Sequence, residues 1–179
     1  MLKYLFLSLT FCLFSAFNSG FAQVEFRNID SQAQWEGTFS EAQQNNLLVF
    51  VDVHAEWCMP CHQMDKMTFS QVEVGDYFNR YFINVKVDGE TAFGKIFAKQ
   101  NYIQAYPSFL VFDQNKNLIS SKQGFLDTDV LLAYGESTVK SITRLPELSA
   151  KNEKGSLSVD EKIEYAELLQ ARGNNTEAN

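Results

Sequence analysis

The run Leu47–Val53, LLVFVDV, constrains this chain more than any other stretch. It is too short for a helix and rich in Val and Phe, and it is apolar at successive positions. It therefore reads as a central strand buried on both faces. Such a strand needs helices on either side, which makes the fold class α/β. One carboxylate, Asp52, stands inside the run, where a charge is costly unless it is partnered. At the carboxyl end come Trp57-Cys58-Met59-Pro60-Cys61-His62 and then helical spacing.

The flanking segments supply those layers. Val24–Phe26 alternates as a short strand, and Asp30 or Ser31 caps a helix carrying Trp35, Phe39 and Ala42 on one face. Helical spacing runs from Cys58 through Met64 and Met67, and again, after a cap at Ser70, through Val74, Tyr77, Phe78 and Tyr81. Phe82–Val87 reads as a strand, and Phe93, Ile96 and Phe97 as the core face of a helix over 91–100. Ser108–Phe112 and Leu118–Ser121 form a hairpin about the turn 114–117. A last domain helix, capped at Asp127 or Thr128, turns Val130, Leu131, Tyr134 and Ile142 inward. The order βαβα, βαββα predicts a mixed central sheet flanked by helices on both faces.

From Leu145 the chain turns polar and loop-like. A capping box at Ser158 and Glu161 then opens a helix with Ile163, Ala166 and Leu169 on one face and a stop at Gly173. Residues 165–178 faintly resemble half of a tetratricopeptide repeat. A stack needs about three repeats to bury a core, so a docking helix or solvated tail is the expectation.

Residues 1–22 carry an early cation, Lys3, an apolar centre to about Phe17, and a small residue at Ala22, the layout of a secretory signal peptide. A retained anchor is the rival, but Ser8, Thr10, Ser15 and Asn18 interrupt a run already short of the ~20 residues that span a bilayer. The organisation expected is a signal peptide (1–22), one domain (23–144), and a polar linker with a C-terminal helix (145–179). Without the signal, 14 Lys and Arg face 22 Asp and Glu, a net charge of −8. That balance argues against nucleic acid and anionic lipid as partners. Cys12 leaves with the signal, so Cys58 and Cys61 remain. Three residues apart, they close too short a loop to hold a fold together, and in an exported protein they read as a working pair.

Disulfide exchange needs an attacking thiolate, a second thiol to release the mixed disulfide, and a way to hold the partner's sulfur in line. At the start of a helix, Cys58 meets unpaired N–H groups and the positive end of the dipole, which lowers its pKa and makes it the nucleophile. Cys61 returns nearly one turn later, expected to be the more buried, and resolves the mixed disulfide. Pro60 fits the first turn, where its missing N–H is not needed. Burial should raise the pKa of Asp52, which suits an acid that takes and returns the proton of Cys61.

Asp52 six residues before the first cysteine, Ala55-Glu56-Trp57, the Cys-x-Pro-Cys core and Ala105-Tyr106-Pro107-Ser108-Phe109 together resemble the thioredoxin family over about 30–142. The resemblance implies a thioredoxin-like fold and a cis Pro107 opposite the dithiol. It also implies an incoming chain that pairs beside Tyr106 like an added strand. Trp57, Met59, Pro60, Tyr106 and Pro107 would then be the substrate-binding set. Met64–Phe69 and Val85-Lys86-Val87-Asp88 resemble exported members, including the periplasmic end domain of membrane thiol-disulfide interchange proteins. Where many members place a lysine beside the buried acid, this chain has Asn84, so Asp52 is expected to lack its charge partner.

The function expected is an exported, monomeric thiol-disulfide oxidoreductase acting on protein thiols, without cofactor, in the reducing direction. A membrane thiol-disulfide electron donor is a candidate partner. Cys58-Met59-Pro60-Cys61-His62 also fits c-type haem attachment, with His62 as an axial ligand, but Met64, Met67, Met59 and His54 are poorly placed for the other side. Zinc would have Cys58, Cys61 and His62 but no second ligand pair. A non-catalytic binding or chaperone-like module of an envelope assembly is the third alternative.

Overall fold

The structure, a computed structural model, describes residues 23–177, with side chains to 170. The signal-peptide expectation therefore lies outside the described residues. Five strands, β1 (Phe26–Asn28), β2 (Leu48–His54), β3 (Phe82–Asp88), β4 (Ser108–Phe112) and β5 (Leu118–Gln123), form one sheet in the order β1-β3-β2-β4-β5. β1 and β2 run parallel to β3, whereas β4 is antiparallel to β2 and to β5. The sheet is mixed, as predicted, and β2 is its central strand.

Alternation along β2 divides the core in two. Val49, Val51 and Val53 face one side, where α1 (Gln32–Asn45) and α4 (Ala92–Gln100) bring Trp35, Phe39, Ala42 and Phe97. Phe50 faces the other side, against Met64, Phe69, Val74, Phe78, Phe109, Leu131 and Tyr134. Those residues come from β4, from α3 (Val72–Tyr81), from α5 (Thr128–Glu153), and from the segment after the cysteines. Asp52, two residues after Phe50, shares its face.

Phe109 of β4 is fully buried, stacked on Phe50 with centroids 5.8 Å apart and edge-on to Phe69 at 6.0 Å. Phe109→Ala should therefore cost about 3–5 kcal/mol of stability, read as a lower urea midpoint with an unchanged m-value.

Several local expectations need correction. The segment after Cys58 is not one α-helix. A short α2 (Met59–Gln63) passes into a π-helical turn (Met64–Thr68), closed by the Phe69 N–H on the Met64 carbonyl at 2.9 Å. The N-cap position of α3 is Gln71 rather than Ser70, and its side chain makes no capping hydrogen bond. Ile96 and Val130 point to solvent, because α4 turns Gly94, Phe97 and Ala98 inward and α5 turns Leu131 and Tyr134 inward.

The stretch after Leu145 is helix rather than loop. α5 continues through Pro146 to Glu153. Its polar composition reflects a solvated surface, with only Leu145 and Leu148 buried, against Leu157 and Leu168. The capping box at Ser158 and Glu161 is formed, and α6 (Val159–Glu177) runs past Gly173. α6 turns Leu168 and Tyr165 toward α5, which leaves Ile163 and Leu169 55% and 45% exposed. Arg144 and Lys151 of α5 fix that rotation by pairing with Glu161, and Arg144 also pairs with Glu164.

Candidate functional site

β2 ends at His54, and the chain turns through Ala55-Glu56-Trp57 into α2. Cys58 is the N-cap of α2 and is joined to Cys61 by a disulfide, with the two Cα atoms 5.3 Å apart. The Cys61 N–H donates to Cys58 Sγ at 3.2 Å. Pro60 occupies the first turn of α2. Trp57 and Met59 stand out from the protein beside the pair, 71% and 66% exposed. Opposite, the Tyr106–Pro107 peptide bond is cis, and the Trp57 and Tyr106 rings lie 5.8 Å apart. The loop before β2's antiparallel neighbour β4 thus meets the loop after β2.

Cys61 is not the more buried of the two cysteines. Cys58 is 2% exposed and Cys61 4%; the two form a buried cluster with Ala55, and Tyr106 packs against it. Exposure therefore does not separate their roles, whereas the hydrogen bond onto Cys58 Sγ does.

Asp52 is 1% exposed, and burial pushes its carboxyl above the ordinary aspartate range. The expectation that it lacks a cationic partner is overturned. Lys86 of β3 lies directly across from Asp52 in the parallel ladder and brings Nζ to 3.2 Å from Oδ2, opposing the upward shift. Asn84 instead pairs across from Phe50 and donates to Asn79 Oδ1. Asn84 and Lys86 are two apart on one strand and so share a face; the cation sits one pleat further along and reaches the acid from there.

Lys86 also binds Asp65 of the π-helical turn, and its ammonium lies 5.0 Å from the Phe26 ring centroid and 5.6 Å from that of Phe69. Lys86 and Asp65 are thus part of the site that sequence reasoning missed. The strand alternation could have flagged Lys86. The π-helical turn that delivers Asp65 left no comparable signal. The other Asp52 oxygen, Oδ1, has no hydrogen-bond partner among the described residues.

The remaining candidates have plain placements. His62 Nε2 lies 2.7 Å from the Glu56 carbonyl oxygen, and both sulfurs that haem attachment would use are bonded to each other. His54 ends β2 and its carbonyl accepts from the Gly89 N–H at 2.8 Å. Among the described residues, no three His, Cys, Asp or Glu side chains cluster as metal ligands do.

A solution structure from Bacteroides thetaiotaomicron, provisionally named a disulphide-isomerase, is 30% identical, with a TM-score of 0.59 over 67% of this chain and 96% of its own. The chain belongs to the thioredoxin family. Within the family, residues 16–104 match the group described as Thioredox_DsbH, a protein of unknown function (DUF255). The thiol:disulfide interchange protein DsbD of Haemophilus influenzae (strain PittEE) is 28% identical over 115 residues, or 63% of this chain. This thioredoxin-family chain matches only 20% of that relative's length. The C-terminal domain of Neisseria meningitidis DsbD in its oxidised form shares the fold, with a TM-score of 0.52 and 20% identity over 59% of this chain and 93% of its own.

Proposed function

We propose that the protein is an exported thiol-disulfide oxidoreductase that reduces disulfides of other proteins. The observation that carries this reading is the Cys58–Cys61 disulfide at the end of the central strand, with the Cys61 N–H on Cys58 Sγ. That bond and the helix start stabilise a Cys58 thiolate, which makes Cys58 the attacking sulfur. In the reduced protein the Cys58 thiolate attacks a substrate disulfide and forms a mixed disulfide. Cys61 then attacks Cys58 Sγ, releases the substrate thiol and restores the protein disulfide. Asp52 takes the Cys61 proton in that second step, directly or through one water. Trp57, Met59, Pro60, Tyr106 and Pro107 form the contact surface for the substrate chain.

The chemistry resides in residues 23–144. Electrons arrive from a thiol donor, with a membrane thiol-disulfide protein as the candidate, and residues 1–22 direct export. Pro60 immediately before the second cysteine favours the reducing direction.

Insulin disulfide reduction with dithiothreitol as electron source tests the activity. Wild type should accelerate precipitation of the insulin chains, and Cys58→Ser should sit at background. A folded wild type no better than the variant would leave a binding module as the reading. Equilibration with glutathione tests the direction. A potential near about −270 mV supports reduction, and one near about −120 mV would reverse it.

A further inference from the structure

At the amino-terminal ends of β1 and β3, away from the cysteines, a cavity of about 270 Å³ lies beside the edge strand β1. Its polar lining is Glu25, Arg27, Glu41 of α1, Asn79 of α3 and Asn84 of β3. Leu47 and Phe82 give it an apolar wall.

Hydrogen bonds fix the orientation of both amides. Asn79 Oδ1 accepts from the Glu25 N–H at 2.9 Å, and Asn79 Nδ2 donates to the Gln23 carbonyl at 2.9 Å, so the backbone decides which end of Asn79 is the oxygen. Asn84 must then turn its Nδ2 to that oxygen, which it meets at 3.1 Å. Asn84 Oδ1 is left without a hydrogen-bond partner among the described residues, on a side chain only 3% exposed. A buried acceptor without a donor is costly, the more so in a low dielectric. The charges around it point the same way. Arg27 and Glu41 face each other in a two-pronged pair that occupies both carboxylate oxygens. Glu25 makes no ion pair among the described residues and acts on Arg27 only at longer range. One cation against two carboxylates leaves the lining net negative.

We propose that this cavity binds an alkylammonium group, with its N–H donors on Asn84 Oδ1 and toward Glu25 and its carbon chain on Leu47 and Phe82. This goes beyond disulfide exchange and stands independently of it. An ammonium carries three donors and no acceptor, so it supplies what Asn84 Oδ1 lacks and balances Glu25. An anion would bring acceptors to an acceptor and negative charge to a negative lining. A hard divalent cation needs about six oxygen ligands, which a lining with an apolar wall does not offer. The volume, roughly that of nine waters in the liquid, suits a group of a few heavy atoms. Free amines and lysine side chains both carry this group.

The experiment is an NMR titration of the isotope-labelled protein with n-butylammonium chloride at constant ionic strength, read on the side-chain amide resonances of Asn79 and Asn84. Both should shift saturably, with a dissociation constant in the millimolar range. Butyrate and n-butanol should bind at least about tenfold more weakly, since neither has the positive charge that Glu25 meets. Asn84→Ala, followed on Asn79, and Glu25→Gln should each weaken n-butylammonium binding about tenfold, the scale of a lost hydrogen bond to a charged group. A capped Gly-Lys-Gly peptide separates the sources: tighter binding than n-butylammonium assigns the cavity to a lysine of a partner chain, and weaker binding assigns it to a free amine. Butyrate binding as tightly as n-butylammonium, shifts that do not saturate, or folded Asn84→Ala and Glu25→Gln proteins that bind like wild type would overturn the proposal. Should Asn84→Ala not fold, Glu25→Gln, at an exposed residue, gives the same reading. The titration involves no thiol chemistry, so absence of insulin reduction would count against the proposed function and not against this site.

Discussion

A Cys61→Ser protein, reduced and mixed with insulin, should accumulate a covalent adduct through Cys58 that non-reducing electrophoresis and intact mass both detect. In wild type the second sulfur is already bonding distance away, as the disulfide between Cys58 and Cys61 records. A thiol held at such an effective molarity outcompetes millimolar thiol in solution, so removing it should prolong the mixed disulfide by on the order of a thousandfold or more. Cys58→Ser should give no adduct, because the remaining Cys61 lacks the N–H that Cys58 Sγ receives. The reverse pattern, with adducts on Cys61 and none on Cys58, would exchange the two roles.

Asp52→Asn should stabilise the protein in neutral and alkaline solution while slowing the chemistry. Burial raises the folded-state pKa of Asp52, and Lys86 opposes but does not cancel the shift. An unfolded aspartate titrates near about 3.9. Between that value and the raised folded value, the native protein holds a proton that the unfolded chain has lost. The stability this confers is fully present below the unfolded pKa and is lost as pH rises through the folded one. The Asn variant keeps the shape without the titration, and Lys86 keeps Asp65 as its partner, so its stability should lack this downward step and exceed wild type above the folded-state pKa. Release of the mixed disulfide should slow by on the order of a hundredfold, the usual scale for losing a general acid or base. Urea unfolding from pH 4 to pH 9 checks the first part and single-turnover kinetics the second. Equal pH slopes in the two proteins would show that Lys86 keeps Asp52 ionised throughout.

The parts of this molecule that follow from local pattern were legible in the sequence. The heptamer LLVFVDV could only be a strand buried on both faces, and it is the central strand. The cysteines, Trp57 and Pro60 lie where short-range chemistry placed them. The rest depended on pairings between distant segments. Lys86 meets Asp52 because of the β2–β3 register, which composition does not encode. Asp65 joins them only because the helix after the cysteines widens into a π turn. Tyr106, forty-five residues beyond Cys61, packs against the cluster that holds both cysteines. In α6 the apolar spacing pointed to the face of Ile163, Ala166 and Leu169, whereas the ion pairs to Arg144 and Lys151 accompany a rotation that buries Leu168 instead.

The burial of both sulfurs ties folding and electron affinity into one thermodynamic cycle. Enclosing Cys58 and Cys61 disfavours a thiolate, and the Cys61 N–H favours one. The balance must appear twice, in the reduction potential and in the difference between the unfolding free energies of the oxidised and reduced forms. For a two-electron couple, each 30 mV between the native potential and that of the unfolded dithiol corresponds to about 1.4 kcal/mol of that difference. A pair of melting curves thus reads the direction of electron flow without any substrate, and the form that melts higher is the one toward which the fold drives the pair.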